Sequence, residues 1–321
     1  MRILITGIHG FVASHLIKVL WQRHVIYGLS TSLQPIKCVE RIYLWDEIQQ
    51  LPQVDVVIHL AAIAHDVNNN ARAGLYKEVN HTLTCRIYDW FEKSTATKFI
   101  FFSSVKAVVD APGDDVVTEE TTPSPVGNYG KTKREAEEYL ISKSHMLDTP
   151  VAVQSSDKLV YILRPSMIYG EGNKGNLNLL YNIVRRGIPY PLGAFSNNRT
   201  FTAIENVTFV VDQLISHFIP SGIYNVCDDD SISTNRLVEI LCQVLRKKPC
   251  ILYWDKERVR CLARWGGWLH LPLNPNRLSK LTENYRVSNK KILQALEIDS
   301  MPVSVFEAMA RTIQSFENNN K

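Results

Sequence analysis

Through the first half of the chain, short apolar runs of β type alternate with stretches whose apolar residues recur at helical spacing. Arg2–Thr6 reads as a strand, and Phe11–Trp21 places Phe11, Val12, Leu16, Val19 and Leu20 at helical spacing. Val25–Leu29 reads as a second strand, Arg41–Leu44 as a third, and the strongly apolar Val54–Leu60 as a fourth. A helix is expected around Tyr76–Glu92 and a strand at Lys98–Phe102. A polar loop with Pro112, Gly113, Pro123 and Pro125 leads into a helix from about Tyr129 to Ser144, and Lys158–Leu163 is a further strand. Such alternation predicts an α/β architecture, a doubly wound parallel sheet with helices on both faces. After Pro165 strands shorten, Pro and Gly become frequent, and helices such as Thr234–Arg246 and Pro302–Ser315 stand apart. The expected division is 1–165 for the doubly wound domain and 166–321 for a smaller α/β domain, with some later segments returning to the first.

Composition narrows the class. A length of 321 residues fits roughly two domains at about 150 residues each. With 45% hydrophobic and 21% charged residues, intrinsic disorder and collagen-like structure are excluded. The net charge of +4, spread along the chain, argues against a nucleic-acid arm and leaves an anionic small molecule as substrate. No apolar run reaches the roughly 18 residues of a membrane span. Met1-Arg2 runs straight into strand-like Ile3-Leu4-Ile5, so no signal peptide and a cytoplasmic location are expected. Six cysteines without a C-x-x-C pair read as reduced thiols, and nine histidines without ligand spacing predict no metal site.

The first strand runs into the turn Thr6-Gly7-Ile8-His9-Gly10-Phe11-Val12-Ala13. Gly7 permits a tight turn, Gly10 lets the backbone approach a pyrophosphate, and Ala13 allows close helix–strand packing. The helix start adds free N–H groups and a positive dipole end, so the turn is read as a dinucleotide-phosphate cradle. Ser30 stands at the end of the second strand, where a carboxylate would hold the adenosine ribose of NAD. Without that charge a 2′-phosphate is not repelled, yet no arginine follows to grip it. NAD and NADP both stay open, with a tilt toward NADP. Asp46 as an adenine contact is outweighed by its reading as a helix-start aspartate.

Tyr129-x-x-x-Lys133 places two groups on one helix face. A phenol ionises near pH ~10, too high for a base at neutral pH. A lysine ammonium one turn away and a cationic nicotinamide ring would lower that value. Tyr129 would then exchange the proton of a sugar hydroxyl, while Lys133 holds the nicotinamide ribose. Ser103 and Ser104 close the apolar strand Phe99-Ile100-Phe101-Phe102, at the strand end where open parallel sheets bind ligands. A serine there can hydrogen-bond the reacting oxygen.

Together these residues resemble the extended short-chain dehydrogenase/reductase family, in its nucleotide-sugar epimerase/dehydratase branch. The motifs that carry the resemblance cover essentially the whole chain. They are the glycine turn to Ala13, His59-Leu60-Ala61-Ala62, Asn80 with Thr84, Ser103-Ser104, Tyr129-x-x-x-Lys133, Arg164-Pro165-Ser166-Met167-Ile168-Tyr169-Gly170, and the segment from Arg199 to Val207. The resemblance implies a Rossmann-like fold and a catalytic triad of Ser104, Tyr129 and Lys133. It implies NAD or NADP held by Gly7, Gly10, Phe11, Val12, Ser30, Leu60, Ala61, Ala62, Tyr129, Lys133, Pro165, Met167 and Ile168. Arg199 would pair with the diphosphate of a UDP- or dTDP-linked sugar, which suits a guanidinium fork. Asn176 and Lys106 are weaker substrate candidates, competing with readings as a helix-start cap and a solvated loop lysine. The family also implies a cytoplasmic homodimer built through two helices of each subunit.

Within the branch, 4,6-dehydratases carry an Asp-Glu pair just after the catalytic hydroxyl residue, where this chain has Val105 and Lys106. Reduction of a 4-keto sugar is the preferred expectation and 4-epimerisation the alternative. Ser30 favours reduction, as does the run from Leu271 to Thr282, which resembles reductases that finish UDP-N-acetyl-6-deoxyhexosamines for surface polysaccharides. A second diphosphate-binding arginine is not evident where Leu281-Thr282-Glu283-Asn284 stands. A non-catalytic dinucleotide sensor is a remote third reading, since Ser104, Tyr129 and Lys133 are all present. Asp228-Asp229-Asp230 is read as an exposed turn rather than a cation site. Trp254, Trp265 and Trp268 with Arg258, Arg260 and Arg264 are read as ordinary packing with snorkelling arginines, packing over the substrate and a membrane-surface contact being the alternatives.

Overall fold

The computed structural model describes residues 1–64, 73–144, 158–173, 176–268 and 274–318. Its first half runs β1 (Arg2–Thr6), α1 (Phe11–Leu20), β2 (Val25–Ser30), β3 (Arg41–Leu44), β4 (Val56–His59), α2 (Ala73–Lys77), α3 (Leu83–Lys93), β5 (Lys98–Phe102), β6 (Val116–Val117), α4 (Asn128–Ser144) and β7 (Leu159–Pro165). The second half runs β8 (Met167–Tyr169), α5 (Asn176–Arg185), β9 (Arg199–Ala203), α6 (Ile204–Ser216), β10 (Gly222–Val226), β11 (Ser231–Ile232), α7 (Thr234–Val244), α8 (Lys256–Trp268), α9 (Pro275–Thr282), β12 (Arg286–Val287), α10 (Lys290–Leu296) and α11 (Val305–Asn318).

Seven strands form one sheet in the order β10-β7-β5-β4-β1-β2-β3, and every neighbouring pair is parallel. The expected doubly wound α/β fold is what the chain adopts. Alternate residues feed opposite faces. Ile3, Ile5, Val56, Ile58, Ile100 and Tyr161 pack with α1 and α6. Leu4, Val57, Phe99, Phe101, Val160 and Ile162 pack with α3 and α4. Burial on both faces is why these strands read as continuous apolar runs. Strand order reverses between β1 and β4, the switch point where such sheets bind ligands. In register, Thr6 faces Leu29 and His59, His59 faces Phe101, and Phe102 faces Leu163. The residues just after these positions therefore share one edge of the sheet.

A second core gathers α5, α7, α8 and α11 around Tyr181, Leu241, Met309 and Ile313, against the three-stranded sheet β11-β9-β8. The chain passes between the two sheets across a single residue, Ser166. β10 and α6 return from the second half to the main sheet and its core.

Two expected elements differ. The helix expected over Tyr76–Glu92 is interrupted by a π turn at Glu78–Thr82. The turn is sustained by buried Asn80, whose amide accepts from Ile63 N (2.8 Å) and donates to Ile63 O (3.2 Å) and Thr132 Oγ1 (3.1 Å). The helix expected to reach Arg246 stops at Val244, and Arg246 is left-handed at φ 54°.

Candidate active site

The glycine turn is wedged against the exit of β4. Gly7 has φ 65°, and a Cβ built there would lie 2.8 Å from the Ala61 nitrogen. Gly10 precedes α1 with no side-chain cap and no acidic residue in the first turn. Phe11, half-buried, comes near Gly170 in the segment after Pro165, and His15 Nε2 donates to the Glu171 carbonyl (2.9 Å). The glycine turn, Leu60-Ala61-Ala62 and the Pro165–Ile168 segment are thus gathered at one sheet edge. Pro165 is buried, Ile168 half-buried and Met167 exposed. Ser30 is buried at the end of β2, with its hydroxyl 3.0 Å from His9 Nδ1, while His9 Nε2 lies 2.9 Å from the Gln34 carbonyl. His9, inside the glycine turn, was not singled out by the motif, which reads only its glycines.

A hydrogen-bond relay links this turn to α4. The Leu60 and Ala61 amides donate to Thr6 Oγ1 (3.2 and 3.1 Å), which lies 2.6 Å from His59 Nδ1. His59 Nε2 lies 2.9 Å from Thr84 Oγ1, which itself donates to the Asn80 carbonyl (2.8 Å). Since Thr84 spends its proton there, His59 carries its hydrogen on Nε2 and accepts from Thr6 at Nδ1. Asn80 continues to Thr132, whose hydroxyl donates to the Asn128 carbonyl (2.8 Å). Burial, aided by Lys133, holds the His59 pKa well below its ordinary value, so the ring is neutral.

Ser104 caps the turn after β5, accepting from Lys106 N (3.2 Å), and its hydroxyl is near enough to Tyr129 to favour the phenolate. Tyr129 stands in the first turn of α4. The next residue, Gly130, lets α4 sit against that turn, since a Cβ there would fall 2.3 Å from the Lys106 carbonyl oxygen. The lowered phenol expected for Tyr129 is not found. Burial raises its pKa, and Ser104 opposes that rise. The physical reason is the path of Lys133. Its ammonium turns inward to donate to the Phe102 carbonyl (2.7 Å) and lies 4.6 Å from the centre of the Phe101 ring. Burial pushes the Lys133 pKa down to about 7, against the pull of Glu137.

Glu137 is the site residue that sequence reasoning missed. It is fully buried one turn beyond Lys133, takes Nε and Nη2 of Arg164 on its two oxygens (2.8 and 2.6 Å), and accepts from Ser103 Oγ (2.5 Å). Its i+4 spacing from Lys133 was the available signal. This ion pair joins β5, α4 and β7 directly beneath Ser104 and Tyr129. Ser103 is therefore occupied by Glu137, whereas Ser104 meets Tyr129.

Two of the three substrate candidates, Lys106 and Arg199, meet at Tyr285. Lys106 lies over its ring (4.8 Å) and bonds the Asp110 carbonyl, while Arg199 pairs with Tyr285 through the backbone. Arg199 is half-buried at the start of β9, and burial lowers its pKa against the pull of Glu283 and Tyr285. Glu283 stands in the region where a second arginine was sought. Asn176 opens α5, and its side chain is outside the described residues. Asp228 corrects the expectation of an exposed turn. It is buried, accepting from Ala203 N, Asn206 Nδ2 and Tyr169 OH, each at 2.8 Å.

Residues 3–227 match the model of the NAD dependent epimerase/dehydratase family. The chain belongs to that family. Membership makes NAD the cofactor of an enzyme of the nucleotide-sugar epimerase/dehydratase type. The chain is 31% identical over 265 residues to a UDP-glucose 4-epimerase of Vibrio cholerae, covering 76% of each protein. It is 26% identical over 340 aligned positions to an N-acetyl-alpha-D-glucosaminyl-diphospho-ditrans,octacis-undecaprenol 4-epimerase of Escherichia coli O157:H7, covering 98% of this chain and 94% of that protein. The fold is shared with a crystal structure of UDP-glucuronic acid 4-epimerase from Bacillus cereus in complex with NAD, at a TM-score of 0.74 and 18% identity over 99% of this chain and 97% of that one. The family member described here fits the dinucleotide on its own geometry: Gly7 has positive φ and no room for a Cβ, and α1 opens without a side-chain cap.

Proposed function

We propose that this protein is a 4-epimerase of a diphosphate-linked hexose or N-acetylhexosamine. The observation that carries the reading is the placing of Tyr129, in the first turn of α4, beside Ser104 at the carboxyl end of β5, with Val105 and Lys106 where elimination would need its acid–base pair. One proton-handling pair suits chemistry at one carbinol. In this reading Gly7, Gly10, Phe11 and Val12 hold the pyrophosphate, Ser30 the adenosine ribose, Leu60 to Ala62 the strand-edge side, and Pro165, Met167 and Ile168 the nicotinamide, with Lys133 on its ribose. NAD, when bound, supplies an acceptor and donor for the C4 hydride. Tyr129 removes the O4 proton and returns it, and Ser104 hydrogen-bonds the reacting oxygen. Arg199, with Lys106 and Asn176, grips the diphosphate side. The E. coli relative's name places its sugar on a polyprenyl diphosphate, and Arg199 would read the diphosphate common to both carriers. The homodimer implied by the family resemblance is kept as part of this proposal.

A 4-keto reductase is the second reading, carried by Ser30 in place of a ribose-binding carboxylate. The test is turnover of UDP-glucose, UDP-N-acetylglucosamine and the polyprenyl-linked sugar with no added cofactor. The expected result is the C4 epimer. Tyr129→Phe should then lower kcat by about 10²–10⁴-fold with unchanged thermal unfolding. No epimer, together with consumption of NADPH on a 4-keto sugar, would replace this reading with the second.

A further inference from the structure

The aromatic-basic segment around α8 does not pack as a sequence reading favours. Val259, Ala263 and Gly266 form its buried stripe. On the other side Leu262 is 50%, Trp265 65% and Trp268 80% exposed, and Trp254, just before the helix, is 47% exposed. At 100° per residue, Arg258 and Leu262 fall on one flank of Trp265 and Trp268, and Arg260 and Arg264 on the other. All four are exposed, as is Lys256; Arg260 also pairs with Glu257. Residues 246–268 hold seven Lys/Arg against two Asp/Glu, a net of +5 in a chain whose net charge is +4, leaving −1 for everything else. The same 23 positions carry three of the chain's six tryptophans.

Exposed tryptophan in a ring of arginine is the chemistry of a membrane–water interface. Indole rings settle at the headgroup level, and guanidinium groups bind lipid phosphates. At 13 residues α8 is too short to span, and no described helix is long and apolar enough to cross a membrane. We propose that α8 with Trp254 docks this protein on an anionic bilayer surface, with Leu262, Trp265 and Trp268 in the headgroup–acyl boundary and Arg258 and Arg264 on lipid phosphates. Charge selects this occupant: the docking segment 254–268 holds four Lys/Arg against two Asp/Glu, a net of +2, and a second copy would set that positive charge against itself.

The test is flotation of the full chain with vesicles of phosphatidylcholine alone or with about 30% phosphatidylglycerol, together with tryptophan emission. The anionic vesicles should bind at least about tenfold more tightly, with blue-shifted emission, and binding should weaken as salt rises. Trp265→Ser/Trp268→Ser and, separately, Arg258→Glu/Arg264→Glu should each lose about tenfold or more of that binding while keeping thermal unfolding and turnover of a soluble nucleotide sugar. Equal partitioning to both vesicle types would overturn the proposal, as would undiminished binding by either folded variant. A dimer on size-exclusion chromatography that the tryptophan variant splits, with no vesicle binding by either form, would assign the face to a second copy instead.

Discussion

Lys133 is a lysine of α4 buried against β5, and its surroundings fix its effect on stability. Its folded pKa is pushed down to about 7 from an ordinary 10.5. Between those values the unfolded chain binds the proton and the folded chain does not, so stability rises with pH across that window. The full cost of burial is present below pH 7 and fades toward pH 10.5. Lys133→Met should therefore raise Tm at pH 7, with a gain that shrinks as pH climbs to 10, while turnover falls by about 10²-fold or more. A pH series of thermal unfolding beside an activity assay checks both halves. A variant less stable at pH 7 would mean that the bond to the Phe102 carbonyl outweighs the burial of charge.

At the scale of elements, the distance between α4 and the turn after β5 sets whether Ser104 and Tyr129 meet. Gly130 holds that distance, with no space for a methyl beside the Lys106 carbonyl. Gly130→Ala should push the helix outward, destabilise by about 1–3 kcal/mol and lower kcat more than it raises KM. Wild-type kcat in a folded variant would show that the helix tolerates the shift. Six of the seven strands of the main sheet were legible as apolar runs, the inner ones because both of their faces are buried, and α1 and α4 because their apolar spacing or polar start is local; the edge strand β10, with Gly222 and Asn225 in a five-residue run, was not. The π turn was not, since Asn80 is held by partners at Ile63 and Thr132. Nor was β6, two residues of a Pro-rich loop that pair with Arg286–Val287. Glu137 lies on a helix whose composition reads as solvated, and beside Arg134 of its own helix it is the distant Arg164 and Ser103 that hold it buried. The Ser104, Tyr129 and glycine-turn positions were legible as motifs. Their electrostatics were not, because the Lys133 ammonium ends at a backbone carbonyl that no motif names.

At the scale of the molecule, the two cores join where the chain changes sheets at Ser166, and Asp228 ties that junction together. Burial raises its carboxyl to about 6, although three hydrogen bonds pull the other way. Asp228→Ala would leave Tyr169 OH, Ala203 N and Asn206 Nδ2 without their acceptor. The expected loss is about 2–4 kcal/mol in urea unfolding, with kcat less affected than stability. An unchanged midpoint would show that water or a neighbouring carbonyl replaces the carboxylate. The relay from Thr6 to Thr132 carries a further consequence, because it has a polarity. From the Leu60 and Ala61 amides to the Asn80 carbonyl every proton is handed one way, and Asn80, its side chain set by Ile63, donates to Thr132 at the root of α4. A second proton on His59 would face the Thr6 hydroxyl with a competing donor. The disturbance would reach the glycine turn and Asn80, which holds the π turn against α4, so both sides of the proposed site lean on one tautomer of one ring hidden from water.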